Sequence, residues 1–176
     1  MNATQSTLLT LRAIVFTILI PGAIAGYLPY SISLDSSNEV ELGPLRYCGL
    51  LVMAVGILFY AASAYFFVIK GGGTPAIWFT KPIRFIIGEE PKTLVFSGLY
   101  RFTRNPMYLG IVSTVLGEAI YFEKKALFLY ALLLWLIFHF VIIIIEEPHL
   151  RRREGEMYEA YCKTVPRWLR FWKKRE

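Results

Sequence analysis

The chain has 176 residues, 56% of them hydrophobic, and it carries a formal net charge of +6 at pH 7. This length suits one domain, and so apolar a composition excludes an ordinary water-soluble fold. A nucleic-acid-binding role is disfavoured, because the basic residues do not lie on a soluble face interleaved with base-stacking aromatic residues. The two cysteines, Cys48 and Cys162, form no CxxC pair, and the sequence contains no HExxH motif. We therefore predict neither a disulfide framework nor a metal site.

Four runs of the chain are apolar enough to cross a bilayer, whose hydrocarbon core takes about 20 helical residues. They cover residues 13–34, 48–69, 105–122 and 126–145. Pro21 and Pro29 should kink the first helix or end it early, and small residues along the second should let a neighbouring helix approach closely. The sequence therefore predicts an all-α, polytopic transmembrane bundle of about four spans, or five if a further short span is present. It should form a single domain over residues 1–176.

The charges between these spans are distributed unevenly. Residues 70–105 contain six basic residues against two acidic ones, and residues 149–176 contain nine against four. The loop at 35–43 holds three acidic residues and no basic residue. By the positive-inside rule the two basic segments face the cytoplasm, together with both chain termini. We therefore predict an integral protein of the cell membrane whose active site faces the cytoplasm.

Two connections between the spans have distinct predicted structures. The stretch from Lys70 to Gly98 contains three consecutive glycines and three prolines, which exclude a long helix. Its apolar residues argue against disorder, so we predict an ordered cytoplasmic segment that is re-entrant or interfacial. The third and fourth spans are joined only by residues 123–125 and must form a tight antiparallel hairpin. Tyr158 and Tyr161, three residues apart, should share one face of a C-terminal helix.

Polar residues at the cytoplasmic ends of the last two spans are the candidates for chemistry. Glu146 and Glu147 directly follow four isoleucines. They are either solvated carboxylates that end a span or partners for a cationic or hydroxyl-bearing ligand, which suits an acidic group at the edge of a helical bundle. At the start of the third span, Pro106 suits the first helical turn and Asn105 is expected to cap the helix. This pattern is also typical of a plain capped helix with interfacial aromatic residues.

Two motifs in this part of the chain resemble a known family. The sequence LVFSGLYRFTRNPMYLG at 94–110 is followed by the hairpin and then by EE..L....G..Y..Y...VPR at 146–167. Both motifs, in this order, are similar to the isoprenylcysteine carboxyl methyltransferase family, which belongs with the phospholipid methyltransferases in a larger group of integral membrane methyltransferases. The sequence GGGTP at 71–75 also resembles a loop of small prokaryotic members. The resemblance covers roughly residues 70–168, which would form the catalytic region.

The resemblance implies an S-adenosylmethionine site outside the Rossmann fold, formed by the ordered loop and the C-terminal helix. This agrees with the absence of a GxGxxG motif from the sequence. The cofactor contacts that it implies are Lys92, Thr93, Leu94, Val95, Tyr100, Asn105, Pro106, Met107, Tyr108 and Glu146. Asn105 stands where eukaryotic relatives usually have histidine and prokaryotic relatives commonly have asparagine.

The residues implied for the substrate differ from the family pattern at one position. Eukaryotic relatives have an arginine four residues before the first glutamate, where it can meet the substrate carboxylate, and here that position is Ile142. Arg101, Arg104 or an arginine of the 151–153 run is a candidate to supply the missing charge. His139, inside the last span, is either a packed, hydrogen-bonded polar group or part of the substrate slot. The resemblance therefore implies the cofactor more directly than the substrate.

The activity implied by the resemblance is methyl transfer from S-adenosylmethionine to a membrane-embedded prenyl-like or lipidic substrate, by carboxyl O-methylation of an isoprenylcysteine-type group. N-methylation of a lipid headgroup amine is an alternative, and so is an NADPH-dependent membrane reductase, because sterol reductases are similar around NP.Y. A non-enzymatic membrane protein is the remaining alternative. Apart from the bilayer and this substrate we predict no partner, neither nucleic acid nor metal, and the sequence does not specify an oligomeric state.

Glu146 and Glu147 are expected to differ in importance, because adjacent residues on a helix point about 100° apart and should not both face the same pocket. By the motif Glu146 faces the cofactor, where its carboxylate would accept a hydrogen bond from the ribose or attract the ammonium or sulfonium group. Glu147 is expected on the neighbouring face, in a partly exposed pair with an arginine of the 151–153 run. Such a pair contributes roughly 0–1 kcal/mol.

The predicted topology can be tested by cysteine labelling from outside intact cells. Ser36→Cys, in the acidic loop, should react with a membrane-impermeant maleimide, whereas Lys173→Cys, in the basic tail, should react only after permeabilisation. Labelling of both positions in intact cells would contradict a topology of four spans with both ends inside.

Overall fold

The computed structural model describes residues 3–34, 39–74 and 93–169. Within these residues all regular secondary structure is helical, apart from one isolated bridge between Glu39 and Lys124. The all-α fold class predicted from the apolar runs is confirmed. The predicted ordered loop between the second and third spans lies mostly at residues 75–92, outside the described residues.

The described chain forms seven α-helices, connected in places by π-helical or 3₁₀-helical turns. The first half contains α1 (Ala3–Leu19), a π-helical turn (Ala23–Tyr27), α2 (Leu28–Ser33), a 3₁₀ helix (Gly43–Tyr47), α3 (Cys48–Phe66) and a second π-helical turn (Phe67–Gly71). The second half contains a 3₁₀ helix (Gly98–Arg101), α4 (Pro106–Phe122), α5 (Lys125–Val141), a third π-helical turn (Ile142–Glu146), α6 (Glu147–Glu154) and α7 (Glu156–Thr164).

Three continuous helical stretches are long and apolar enough to cross a membrane, namely Thr7–Ser33, Gly43–Gly71 and Lys125–Glu154. α4 is also apolar, and its 17 residues measure about 25 Å, a little less than the roughly 30 Å hydrocarbon core of a bilayer. It packs along α3 and against α5, so it lies in the same layer as the longer helices. The protein is thus an integral membrane bundle of three to four spans.

The first span is kinked, as its prolines predict. Pro21 and Pro29 lie on either side of the first π-helical turn, in which Ala25 has non-helical backbone angles (φ −112°, ψ 18°). A proline removes a backbone hydrogen bond, and a π-helical turn is a usual place for a helix to bend. The bend brings Ile24 onto the core between α4 and α5, where its carbonyl accepts a hydrogen bond from Tyr130 (2.9 Å).

Four glycines form the contact between α3 and α4, which confirms the close approach predicted from the small residues of the second span. A methyl group added at Gly49 would lie 2.5 Å from the carbonyl oxygen of Gly117, and one added at Gly110 would lie 2.7 Å from that of Gly56. Because Gly49 meets Gly117 and Gly56 meets Gly110, the two helices run antiparallel. They pack backbone against backbone, which only residues without a side chain allow.

The hairpin between α4 and α5 confirms the predicted tight connection. Glu123 adopts a left-handed backbone conformation (φ 57°), and its carboxylate accepts hydrogen bonds from two backbone N–H groups just before α3 (2.8 and 3.0 Å). The same carboxylate pairs with Arg46 at 3.0 Å, and Lys124 pairs with Glu39 at 2.8 Å. These contacts close one end of the bundle.

The buried core lies between α4 and α5, with a second cluster around α7. The first cluster comprises Ile111, Val115, Ala131, Leu134 and Phe138. The second joins Tyr158, Tyr161 and Val165 to Leu94 and Leu150. The shared face predicted for the two tyrosines is therefore confirmed. Many large apolar side chains of α1, α3 and α5 are exposed, as expected of helices whose outer surface meets lipid.

Gly56→Ala should destabilise the bundle, because the added methyl group would lie 2.6 Å from the backbone nitrogen of Thr114 and would force α3 and α4 apart. Overpacking of this kind costs about 1–3 kcal/mol of the free energy of unfolding. Gly26→Ala is the matched control, because nothing lies within 4 Å of its added methyl group. Thermal unfolding in detergent should show a lower melting temperature for Gly56→Ala alone, and equal melting temperatures would contradict the glycine contact.

Candidate functional site

A cavity of about 300 Å³ lies at the end of the bundle where α4 begins and α5 passes into α6. Small-molecule pockets span roughly 300–1,000 Å³, so its volume is at the lower end of the range for a ligand. The wall is built from α1 and its π-helical turn, the end of α3, the segment from Thr93 to Tyr108, the α5–α6 junction and α7. Segments that are far apart in the chain therefore converge on one site.

Most of the cofactor contacts implied by the two motifs line this cavity. The structure places Thr93, Leu94, Val95, Tyr100, Asn105, Met107, Tyr108 and Glu146 in its wall. Pro106 is fully buried in the first turn of α4 and supports the wall from behind, and Lys92 lies outside the described residues. The fold thus gathers the predicted residues, and their role as cofactor contacts stays a prediction.

The three residues considered for the substrate separate into two groups. Ile142, 1% exposed, and Arg104 line the cavity. His139 lies outside its wall, where its Nδ1 accepts a hydrogen bond from the indole N–H of Trp168 (3.1 Å) and its ring stacks on Trp135 and Trp168. This placement agrees with the interpretation of His139 as a packed, hydrogen-bonded polar group.

A phenol and a carboxylate meet in the middle of the cavity wall. The Tyr108 hydroxyl donates a hydrogen bond to Oε1 of Glu146. The Tyr108 ring packs against Phe138, with their centroids 4.5 Å apart. The carboxylate is therefore oriented by a side chain from α4, in surroundings that are otherwise mainly apolar. An oriented carboxylate of this kind can accept hydrogen bonds from a ligand or attract a cation.

Tyr100 is buried in the same wall and is fixed from two sides. Its ring stacks on Phe67 with 5.3 Å between centroids, and its backbone carbonyl accepts a hydrogen bond from the Tyr161 hydroxyl (2.6 Å). Burial raises the pKa of the Tyr100 phenol well above its ordinary value, so the side chain is neutral at physiological pH. Tyr100 therefore offers an aromatic face and an uncharged hydroxyl to the site.

Asn105 does not cap α4, so the cap predicted from the sequence is wrong. Its side-chain nitrogen donates to the backbone carbonyl of Arg167 (3.0 Å), and α4 begins without a side-chain cap. The same carbonyl accepts a second hydrogen bond from the Thr103 hydroxyl (3.1 Å). The C-terminal tail returns to this point in the fold. The Asn105 side chain therefore donates a hydrogen bond to the tail and makes none to the start of α4.

The partial exposure predicted for Glu147 is also wrong. The residue is 4% exposed, and Arg167 donates to both of its carboxylate oxygens, from Nε at 2.7 Å and from the terminal nitrogen at 3.0 Å. Arg104 lies 3.1 Å away on the other side. The predicted pairing with an arginine of the 151–153 run is confirmed, because Arg151 lies 3.7 Å away as a third neighbour. The carboxylate is buried rather than partly exposed, because the start of α4 and the tail cover it.

Both adjacent carboxylates line the cavity, although their angular separation on a helix suggests that one alone should. The cavity extends from Tyr108, which bonds Glu146, to Arg104, which pairs with Glu147. It therefore meets two faces of the helix at the α5–α6 junction. The expectation that the two glutamates cannot share a pocket is therefore wrong, because the cavity is wide enough to contact both side chains.

The wall changes from apolar to polar along the cavity. Its apolar part is formed within the spanning helices by Phe16, Ile20, Ile24, Ile111, Ile137 and Val141. Its polar part contains Arg104, Asn105, Glu146, Glu147, His149 and Arg153. This arrangement suits a polar ligand bound beside an amphiphile whose tail lies among the helices.

Sequence reasoning missed the contribution of α1 and of Arg167. Phe16 and Ile20 are indistinguishable in the sequence from the lipid-facing residues around them, so no signal marked them. Arg167 stands in VPR at the end of the second motif, and the family resemblance assigns no role to this residue. Among the described residues, no three His, Cys, Asp or Glu side chains are grouped as metal ligands.

A family model described as phospholipid methyltransferase matches residues 45–156, which is more than half of the chain. The chain belongs to the phospholipid methyltransferase family. This family includes the isoprenylcysteine carboxyl methyltransferases, so the family resemblance of the two motifs is confirmed. No curated protein and no solved structure matches the chain. The protein is therefore an integral membrane methyltransferase.

Glu147→Gln should destabilise this methyltransferase, because it removes the buried negative charge that pairs with both Arg104 and Arg167. Removing one partner of a buried pair costs up to about 3–5 kcal/mol of the free energy of unfolding. Glu159→Gln is the control, because Glu159 pairs with Arg151 at 3.0 Å where both side chains are about half exposed, and such a pair contributes roughly 0–1 kcal/mol. Thermal unfolding in detergent should separate the two variants, and equal shifts would contradict the buried pair.

Proposed function

We propose that the protein transfers a methyl group from S-adenosylmethionine to a membrane-embedded prenyl-like or lipidic substrate, by carboxyl O-methylation of an isoprenylcysteine-type group. The observation that supports this most directly is that one cavity joins the two family motifs to an apolar wall inside the spanning helices. A soluble cofactor can then reach the cavity from water, and an insoluble substrate can reach it from the bilayer.

The residues of the wall fit the cofactor chemically. S-adenosylmethionine carries ribose hydroxyls, an ammonium group and a positively charged sulfur. Glu146 is an oriented carboxylate that can accept a hydrogen bond from a ribose hydroxyl or attract either positive charge. The apolar side chains of Leu94, Val95 and Met107 lie in the same wall and suit an adenine ring. The oriented carboxylate and the apolar patch together support binding of the cofactor at this end of the cavity.

S-adenosylmethionine, when bound, supplies a methyl group that is already activated by its positively charged sulfur. A carboxylate can attack such a methyl group without losing a proton, so the chain needs no general base. Its task is to hold the two reacting groups within attacking distance and to exclude water. The buried side chains of Ile111, Ile142 and Phe138 exclude water from the wall where its polar and apolar parts meet.

The substrate would enter between α1 and α5. Phe16 and Ile20 from α1 face the cavity together with Ile137 and Val141 from α5, and these apolar side chains suit a lipid tail. Ile142 is too apolar to hold the carboxylate that an arginine meets in eukaryotic relatives. Arg104, in the polar part of the wall, is the cation that we propose in its place.

N-methylation of a lipid headgroup amine is the second candidate, because the matching family model is described as phospholipid methyltransferase. An amine that accepts a methyl group must lose a proton. The Glu146 carboxylate is the group in the wall that could take this proton, directly or through Tyr108. Family membership disfavours the NADPH-dependent reductase and the non-enzymatic alternative.

We also propose that the cavity faces the cytoplasm at the cell membrane. Arg151, Arg152 and Arg153 follow directly after the α5–α6 junction, at the same end of the bundle as the polar part of the wall. Clustered arginines beside a spanning helix favour the cytoplasmic side. This side is also where soluble S-adenosylmethionine would be available.

Calorimetry of the detergent-solubilised protein should detect binding of S-adenosylhomocysteine and no binding of NADPH. Glu146→Gln should weaken that binding by about ten- to over a hundredfold, because a charge-assisted hydrogen bond is worth roughly 1.5–3 kcal/mol. Glu156→Gln, an exposed glutamate at the start of α7, is the control and should bind as the wild type does. Binding of NADPH with no response to S-adenosylhomocysteine would contradict the proposed function.

The same preparation can distinguish the two methyl acceptors. Labelled S-adenosylmethionine is offered with a farnesylated cysteine analogue or with vesicles that contain phosphatidylethanolamine. A methyl ester releases volatile methanol in dilute alkali, whereas an N-methyl group does not. Alkali-labile label on the farnesylated acceptor supports O-methylation, and alkali-stable label on the lipid supports the second candidate.

A further inference from the structure

The residues that follow α7 lie outside the cavity yet contact its wall. Arg167 and its neighbours Pro166 and Trp168 are not among the described residues that line the cavity. The backbone N–H of Arg104 donates to the carbonyl of Pro166 at 2.9 Å. On the other side, the Trp168 indole N–H donates to His139 of α5 at 3.1 Å. The tail is therefore attached both to the segment before α4 and to α5.

Arg167 is the centre of this attachment, because its side chain and its backbone each hold a residue of the cavity wall. Its guanidinium binds both oxygens of Glu147, at 2.7 and 3.0 Å. Its carbonyl accepts the side-chain amide of Asn105 at 3.0 Å and the hydroxyl of Thr103 at 3.1 Å. Two wall residues from different helices are thus fixed by one residue that does not itself line the cavity.

The geometry of the Glu147 pair makes Arg167 more than a counter-charge. A two-point contact from a planar guanidinium fixes the plane of a carboxylate, which a single contact cannot do. The hydrogen bonds to Glu147 raise the pKa of Arg167 above its ordinary value, so the arginine stays charged. With its carboxylate fixed, Glu147 presents Oε1 to Arg104 at 3.1 Å, and Arg104 is held in the polar part of the wall.

We propose that Arg167 is a positioning residue that preorganises the polar part of the cavity from outside. It holds Glu147 and Asn105, and through Glu147 it also holds Arg104. The inference rests on the proposed function, because Asn105 is a predicted contact of the methyl donor and Arg104 is assigned there to the substrate carboxylate. At metal sites, mutation of a residue that orients a ligand-binding group from outside typically costs about ten- to a hundredfold in affinity or activity, and we expect an effect of similar size on cofactor affinity here.

The experiment compares Arg167 with Arg151, which approaches the same carboxylate. Arg151 lies 3.7 Å from Oε2 of Glu147 and its side chain is 47% exposed, whereas Arg167 makes two contacts and its side chain is 30% exposed. Arg167→Gln should weaken S-adenosylhomocysteine binding by about ten- to a hundredfold, as the loss of an orienting partner does at metal sites. Arg151→Gln should leave the affinity within about twofold, because an exposed and longer contact fixes little. Equal affinities for the two variants would overturn the positioning role.

A second variant keeps the charge and removes the two-point contact. Arg167→Lys should fold, since it retains a cation beside Glu147, yet it should still bind S-adenosylhomocysteine several-fold more weakly than the wild type. A purely structural role for Arg167 predicts a lower melting temperature with unchanged affinity in the fraction that elutes as the folded protein. Full affinity of folded Arg167→Lys and of folded Arg167→Gln would therefore overturn the proposal.

A double variant tests whether Arg167 acts through Glu147. If it does, adding Arg167→Gln to Glu147→Gln should weaken binding much less than Arg167→Gln weakens it in the wild type. Additive losses would show that Arg167 acts by another route and would overturn the mechanism. Failure of the wild type to bind S-adenosylhomocysteine would overturn the proposed function itself. Binding by the wild type with equal affinities of Arg167→Gln and Arg151→Gln would overturn the positioning role alone.

Discussion

The polar half of this protein is organised around one buried carboxylate. Glu147 has a side chain that is 5% exposed, and a charge removed from water to that extent is tolerated only when it is paired and hydrogen-bonded. Its two closest partners come from segments that are far apart in the chain, Arg104 from just before α4 and Arg167 from the tail after α7. Satisfying this charge therefore brings together the start of α4, the end of α5 and the tail, and the polar wall of the cavity forms around that meeting point.

The membrane half of the bundle depends on a different constraint, the close packing of α3 on α4. Lipid tails are as apolar as the helix surfaces, so burial of apolar area supplies little drive for association, and van der Waals contact between backbones supplies more. The four glycines allow that contact. With α3, α4 and α5 packed together, α1 is left to form the outer wall of a cavity that it lines through Phe16 and Ile20.

This division suits methyl transfer between a soluble donor and an insoluble acceptor. The reaction that we propose requires the chain to bind and orient two molecules rather than to exchange protons with them. The polar wall is fixed by ion pairs and hydrogen bonds, whereas the apolar wall is formed by side chains on spanning helices. A rigid polar site beside an apolar slot can hold a defined cofactor and still accept substrates that differ along their tails.

The order of elements and the membership of the site were largely determined by the sequence alone. Apolar runs of spanning length have no other stable environment than a bilayer, and the prolines around Ala25 cannot continue a regular helix. Most of the residues implied by the two motifs line the cavity. The tertiary structure alone decided the partners of Asn105 and Glu147. The cap expected of Asn105 and the exposure expected of Glu147 failed for one physical reason: local rules assign a polar side chain to its nearest neighbours in the chain. Here the tail returns and places Arg167 beside both residues. The Arg167 carbonyl accepts a hydrogen bond from the Asn105 amide, and its guanidinium donates to the Glu147 carboxylate. Such long-range pairing depends on where α7 directs the chain, and no periodicity or spacing near either residue encodes it.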